Sequence, residues 1–152
     1  MKNSFQEFNK SNSTNKNKNI KHSFEALVVF ITTFIIIFLM MERTVNPYDE
    51  GIVLTAAMRI SAGDIIHRDF YANYGPAEFY LLSWLFKLFG QQVLVERVLD
   101  ICIRAGIVTL IYSSLVVYSR QWIALTATAI CTLWLGTVGP SGYPIYPTLL
   151  LA

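Results

Sequence analysis

Residues 24–41 read Phe24-Glu25-Ala26-Leu27-Val28-Val29-Phe30-Ile31-Thr32-Thr33-Phe34-Ile35-Ile36-Ile37-Phe38-Leu39-Met40-Met41. Only Glu25, Thr32 and Thr33 interrupt the apolar run. At a rise of about 1.5 Å per residue the stretch covers about 27 Å as a helix, enough to cross the hydrocarbon core of a bilayer. A cleaved signal peptide would have a shorter apolar region closed by small residues. Here Glu42-Arg43 follows instead, so the stretch reads as an uncleaved transmembrane helix. It decides the fold class: an all-α, polytopic membrane helix bundle, with an external loop carrying interfacial helices.

Working outward, residues 1–23 are rich in Asn, Ser and Lys, with Lys2, Lys10, Lys16, Lys18 and Lys21. Such a segment buries too little apolar surface to offset chain entropy and is expected to be a disordered cytoplasmic tail. Its lysines place the N-terminus in the cytoplasm by the positive-inside rule. Composition agrees with a lipid-embedded chain. Of the 152 residues, 54% are hydrophobic and 14% charged, where a soluble domain carries about 25% charged residues. A net charge of +2 gives no reason to expect a nucleic-acid partner.

Residues 42–92 then form an external loop, with two helices expected in it. The first runs from Asp49 to Ala62, with acids in its first turn and Gly63 as its stop. The second runs from Pro76 to Phe89, with Pro76 at the first helical position and Gly90 as terminator. At about 21 Å it is short for a span, and Trp84 and Lys87 suit an interfacial position. Residues 93–118 and 122–138 read as the second and third transmembrane helices. A tight turn carrying Arg120 joins them, as in a cytoplasmic hairpin. Residues 143–152 read as the start of a fourth helix, truncated within an apolar run.

Three groups of residues could carry chemistry. Asp49 and Glu50 are adjacent carboxylates near the outer end of the first span. A carboxylate there can take a proton from a hydroxyl or ligate a divalent cation; a solvated helix N-terminus explains the same residues. On the second span Glu96, Asp100 and Arg104 recur every four residues, with Arg97 beside them. Ionisable groups inside a span face protein or a wet cavity, and an arginine there can hold a phosphate. A self-neutralised ladder that docks helices is the structural alternative. The third group is the Gly/Pro-bounded loop from Gly63 to Pro76, where Arg68, Asp69, Tyr71 and Tyr74 could meet a substrate or simply order a connector. Cys102 and Cys131 read as free packed thiols, and His22 and His67 have no zinc-ligand spacing.

The order of these features carries a resemblance. An acidic pair after the first helix is followed by Gly63-Asp64-Ile65-Ile66-His67-Arg68-Asp69-Phe70-Tyr71. Then come Tyr74-Gly75-Pro76-Ala77-Glu78-Phe79-Tyr80-Leu81, Leu88-Phe89-Gly90 and an arginine opening the next helix. Residues 49–152 in this order resemble the first external loop and following helices of GT-C membrane glycosyltransferases, similar to bacterial protein O-mannosyltransferases and the aminoarabinose transferases that modify lipid A. The resemblance implies transfer of a sugar from a polyprenyl-phosphate donor to an acceptor hydroxyl at the non-cytoplasmic face of the cell membrane. It implies Asp49 as base with Glu50 its neighbour, and Arg97, then Arg104, as contacts to the donor phosphate. Asp49 and Arg97 should then face one cavity without forming a tight ion pair in the loaded site. Family members typically have many more helices. A catalytically inactive remnant or assembly partner, or a small transporter or channel subunit, are the other readings.

Overall fold

The computed structural model describes residues 2–41, 48–72 and 75–137, and for residues 2–20 and Asp49 the backbone alone. Tyr74 and residues 143–152, where a substrate contact and a fourth helix are expected, lie outside the described residues. Those described form five α-helices: α1 (Lys2–Met40), α2 (Asp49–Ser61), α3 (Pro76–Phe89), α4 (Val93–Tyr118) and α5 (Gln121–Thr137). No β-strand occurs among them, only an isolated bridge between Ile66 and Phe70.

α1 runs from Lys2 through the apolar stretch to Met40. The physical reason is that nucleation is the costly step of helix formation, and the apolar run supplies it. Residues 1–23 contain neither Gly nor Pro, and Asn, Ser and Lys each cost at most about 0.7 kcal/mol relative to Ala within a helix. Low burial therefore does not stop the helix.

Two helical segments, Lys21–Met40 and Val93–Tyr118, are long and apolar enough to cross a membrane. Only 17% of the first window and 28% of the second is buried, which separates them from the core helices of a soluble domain. Leu27, Ile31, Ile35 and Leu39 on α1, and Leu110 and Val117 on α4, are exposed. Water-soluble monomers rarely present continuous apolar surface on this scale.

α1, α4 and α5 pack pairwise against one another. Small polar residues on α5 let α1 come close. Thr33 and Thr132 share a buried hydroxyl contact at 3.3 Å. One turn on, a Cβ placed at Gly136 would stand 2.7 Å from the Met40 sulfur. The hydroxyls of Thr109, Ser113, Thr128 and Thr132 each donate to the carbonyl four residues earlier in their own helix. That satisfies them without water.

α2 and α3 form a second unit resting on the N-terminal end of α4. Its core contains Val53, Ala57, Phe79, Leu82 and Phe86, with Val95 and Leu99 of α4 packed against it. Gly63, at φ +110°, allows the chain to turn after α2. Gly90, at φ +88°, ends α3. Both are conformations that side-chain-bearing residues adopt at a cost. The other face of α3 exposes Tyr80, Leu81, Trp84 and Leu88.

Candidate functional site

The start of α2 meets the start of α4, though 47 positions separate the residues that join them. Arg97 grips Glu50 with two hydrogen bonds, Nε to Oε1 at 2.7 Å and Nη2 to Oε2 at 3.1 Å. Their side chains are 7% and 1% exposed. The hydrophobic pattern explains the placement. Glu50 lies on the same face of α2 as buried Val53, Leu54 and Ala57, so burying that face takes the carboxylate in with it. A carboxylate enclosed this way requires a paired cation, and the planar guanidinium supplies two parallel donors.

One turn further along α4, Arg104 Nη2 lies 2.8 Å from Asp100 Oδ2. Its Nη1 donates to the Leu135 carbonyl at 2.6 Å. Leu135 is near the C-terminal end of α5, where unsatisfied carbonyls and the helix dipole favour a cation. Arg104, read from sequence as a phosphate contact, thus docks α5 to α4.

Two further carboxylates complete the cluster. Glu96, in the first turn of α4, is 3% exposed. Glu78, in the first turn of α3, is half-buried. Each has an enclosed Oε2 without a hydrogen-bond partner among the described residues. Burial pushes the Glu78 carboxyl up from its ordinary 4.5 to about 7, and the negative charge of Asp100 adds to the shift. The sequence reading placed Glu96 in the α4 stripe but did not single out Glu78, which looks like an ordinary acid at a helix start. Nothing short of the packing of α3 on α4 marks it.

Among the described side chains the cluster holds the carboxylates Glu50, Glu78, Glu96 and Asp100 with the arginines Arg97 and Arg104. No group of three or more His, Cys, Asp or Glu among the described residues is arranged to hold a metal ion. Asp49 opens α2 next to Glu50, and its side chain lies outside the described atoms.

The loop read as a substrate contact folds into a separate structure. Arg68 donates to both carboxylate oxygens of Asp69, at 3.0 and 2.7 Å. The Ile65 backbone N–H donates to Asp69 Oδ2 at 2.7 Å. The Arg68 guanidinium, with the Ile65 N–H second, holds the Asp69 carboxyl down at about 2. Arg59 clamps the loop to α2 through Asp64 Oδ2 at 2.7 Å and the Asp69 carbonyl at 3.1 Å, with its guanidinium 4.5 Å from the centre of the Phe70 ring. Tyr71 projects outward, 83% exposed.

An open groove of about 770 Å³ runs between Thr55 and Arg59 of α2 and Asp69, Phe70 and Tyr71 of the loop. It uses the face of α2 opposite Glu50. The candidate residues thus divide into two places: Glu50 meets Arg97 in the charge cluster, while Asp69 and Tyr71 line the groove behind it.

No family model, curated protein or solved structure matches the chain. The helices and the cluster define its class: an all-α protein with two helices able to cross a membrane and a buried, acid-rich charge cluster where α2, α3 and α4 meet.

Proposed function

We propose that this chain is a multi-pass membrane glycosyltransferase of the GT-C type, or the N-terminal portion of one, using a polyprenyl-phosphate sugar as donor. α1, α4 and α5 cross the cell membrane in this reading, with the lysine-rich N-terminus cytoplasmic. α3 lies at the opposite interface with Trp84 and Leu88 toward lipid. The observation that carries the proposal is the Glu50–Arg97 pair. It ties the acidic start of the loop to the N-terminal end of α4, the junction that such a transferase needs between its base and its phosphate contact.

Asp49 keeps the role of base that the resemblance implies. Glu50 is engaged by Arg97, so Glu50 positions the guanidinium and Asp49 is the base. The acceptor hydroxyl oxygen attacks the anomeric carbon and its proton passes to Asp49. The bond from that carbon to the phosphate oxygen breaks, and its electron pair leaves with the polyprenyl phosphate. Arg97 stabilises the charge developing there, in competition with Glu50 for its N–H groups.

Radiolabel transfer from a prenyl-phosphate sugar, by the full chain in lipid nanodiscs, tests this reading. Asp49→Asn should abolish transfer while donor binding persists, and Arg97→Lys should weaken donor binding as well. Undiminished transfer by Asp49→Asn, or no transfer from any prenyl-phosphate sugar, contradicts it. A second reading, a catalytically silent assembly component, is favoured by the commitment of Arg97 and Arg104 to protein partners. It expects Asp49→Asn to leave every property unchanged.

A further inference from the structure

The groove between α2 and the loop lies apart from the charge cluster, on the face of α2 opposite Glu50. It holds about 770 Å³ and follows α2 from Gly51 to Arg59, with Asp69, Phe70 and Tyr71 as its other wall. That stretch of helix rises about 12 Å, room for two pyranose rings end to end. The charged side chains lining it are matched within the protein: Arg59 meets Asp64 at 2.7 Å, and Arg68 gives one hydrogen bond to each carboxylate oxygen of Asp69. A phosphate or an ammonium group entering the groove therefore meets a charge already compensated. Hydrogen-bonding capacity remains. Arg59 bonds Asp64 and the Asp69 carbonyl through Nε and Nη2, and Nη1 is in neither bond. The Thr55 hydroxyl borders the groove from an exposed position of α2.

Tyr71 supplies an apolar plate beside these polar edges. Its ring is 83% exposed, yet contacts fix its setting. The His67 ring meets it edge-on, with centres 6.4 Å apart. His67 itself sits at φ +63°, a backbone state rare for a residue with a side chain, and its N–H donates to the Phe70 carbonyl at 2.9 Å. Asp69 staples the loop on one side of Phe70 and Tyr71, and Arg59 lies over the Phe70 ring on the other. An aromatic face held in place before any ligand arrives lowers the ordering cost of binding. Ile52 adds exposed apolar surface from α2. A pyranose ring matches this mixture. It carries C–H groups on a face that stacks on an aromatic ring, and around its edge hydroxyls that both donate and accept.

We propose that the groove binds a neutral saccharide, with Tyr71 stacked on one ring and Arg59, Asp69 and Thr55 meeting its hydroxyls, and that it is the acceptor end of the transferase site. The second half rests on the transferase reading; the first does not. α2 begins at Asp49, two residues before the groove's first lining residue, so a saccharide lying along the groove leads toward the residue assigned as base.

The test uses the full chain in nanodiscs and saturation-transfer NMR titrations with maltose, mannobiose and chitobiose. At least one disaccharide should bind. Tyr71→Ala should weaken that binding by up to about tenfold, and Tyr71→Phe should keep it, because stacking uses the ring face and not the hydroxyl. Thr55→Arg, at an exposed helix position that tolerates substitution, should abolish it by filling the groove. Binding by none of the three, or binding that Tyr71→Ala and Thr55→Arg leave unchanged, overturns the saccharide site. Tighter binding of glucose 6-phosphate, lost in the same variants, overturns the neutral assignment. Displacement of the sugar by soluble phosphocholine makes Tyr71 a contact for lipid headgroups and overturns the proposal as well. The acceptor role has its own readout. In the radiolabel assay Tyr71→Ala should raise KM for the disaccharide acceptor while Tyr71→Phe does not. Transfer with an unchanged KM overturns the acceptor role and leaves the transferase reading standing. Disaccharide binding without transfer from any prenyl-phosphate sugar overturns the transferase reading and leaves the saccharide groove.

Discussion

The two ends of α4 handle buried charge in opposite ways. Near its C-terminal end one carboxylate, Glu25, accepts from the Tyr112 hydroxyl at 3.3 Å and Gln121 Nε2 at 3.4 Å, with Lys21 Nζ 3.8 Å away. These groups come from α1, α4 and α5, so the knot ties the three helices together. Near the N-terminal end Glu50, Glu78, Glu96 and Asp100 gather with Arg97 and Arg104, and Glu78 Oε2 and Glu96 Oε2 have no hydrogen-bond partner among the described residues. A donor-rich carboxylate docks helices and needs nothing else. A donor-poor cluster is costly to fold, and such a cost persists where a ligand or a proton completes the set.

The largest way to break this comparison is to remove Arg97. Arg97→Ala leaves Glu50 enclosed without its guanidinium and should cost about 3–5 kcal/mol, read by denaturant titration in detergent. The apolar double substitution Glu50→Leu/Arg97→Met should recover most of that stability, while losing any anion binding. A cost below about 1 kcal/mol for Arg97→Ala would mean that the pair is not enclosed as described.

Smaller effects sharpen the other side. Thr33→Val removes the buried hydroxyl contact with Thr132 and should cost about 1 kcal/mol in the same titration. Tyr112→Phe should cost about 0.5–1 kcal/mol, because Glu25 keeps Lys21 and Gln121. A loss from Tyr112→Phe as large as that from Arg97→Ala would erase the distinction between the two ends. Gly136→Ala should change stability by less than about 1 kcal/mol. The new methyl meets the flexible end of Met40, and the helix gains from replacing glycine.

Much of the helical framework was legible because its punctuation is local. Pro76 and Gly90 bracket α3, Gly63 follows α2, and the apolar run from Val93 onward sets α4. In the site, the Asp100–Arg104 pair follows from i, i+4 spacing, while the reach of Arg104 to Leu135 is a long-range contact that spacing does not encode. The adjacent acids were visible as a pair. Which of them turns inward depends on the phase of α2, and that phase buries Glu50. Arg68 and Asp69 were visible as a polar pair, and that they staple their own loop is a contact the residue types alone do not specify.

The imbalance at the N-terminal end of α4 is tested most directly by the stability of the unliganded chain as a function of pH. The folded state holds the Glu78 proton up to about 7, against 4.5 in an unperturbed chain. Between those values the folded state binds more protons than the unfolded one, so stability falls as pH rises and levels off above about 7. The account predicts this decline in the wild type, a flatter profile in Glu78→Gln, and the wild-type decline retained in Tyr112→Phe at the opposite end of α4. A wild-type profile that stays level or rises across that window, or one that Glu78→Gln leaves unchanged, would contradict the account.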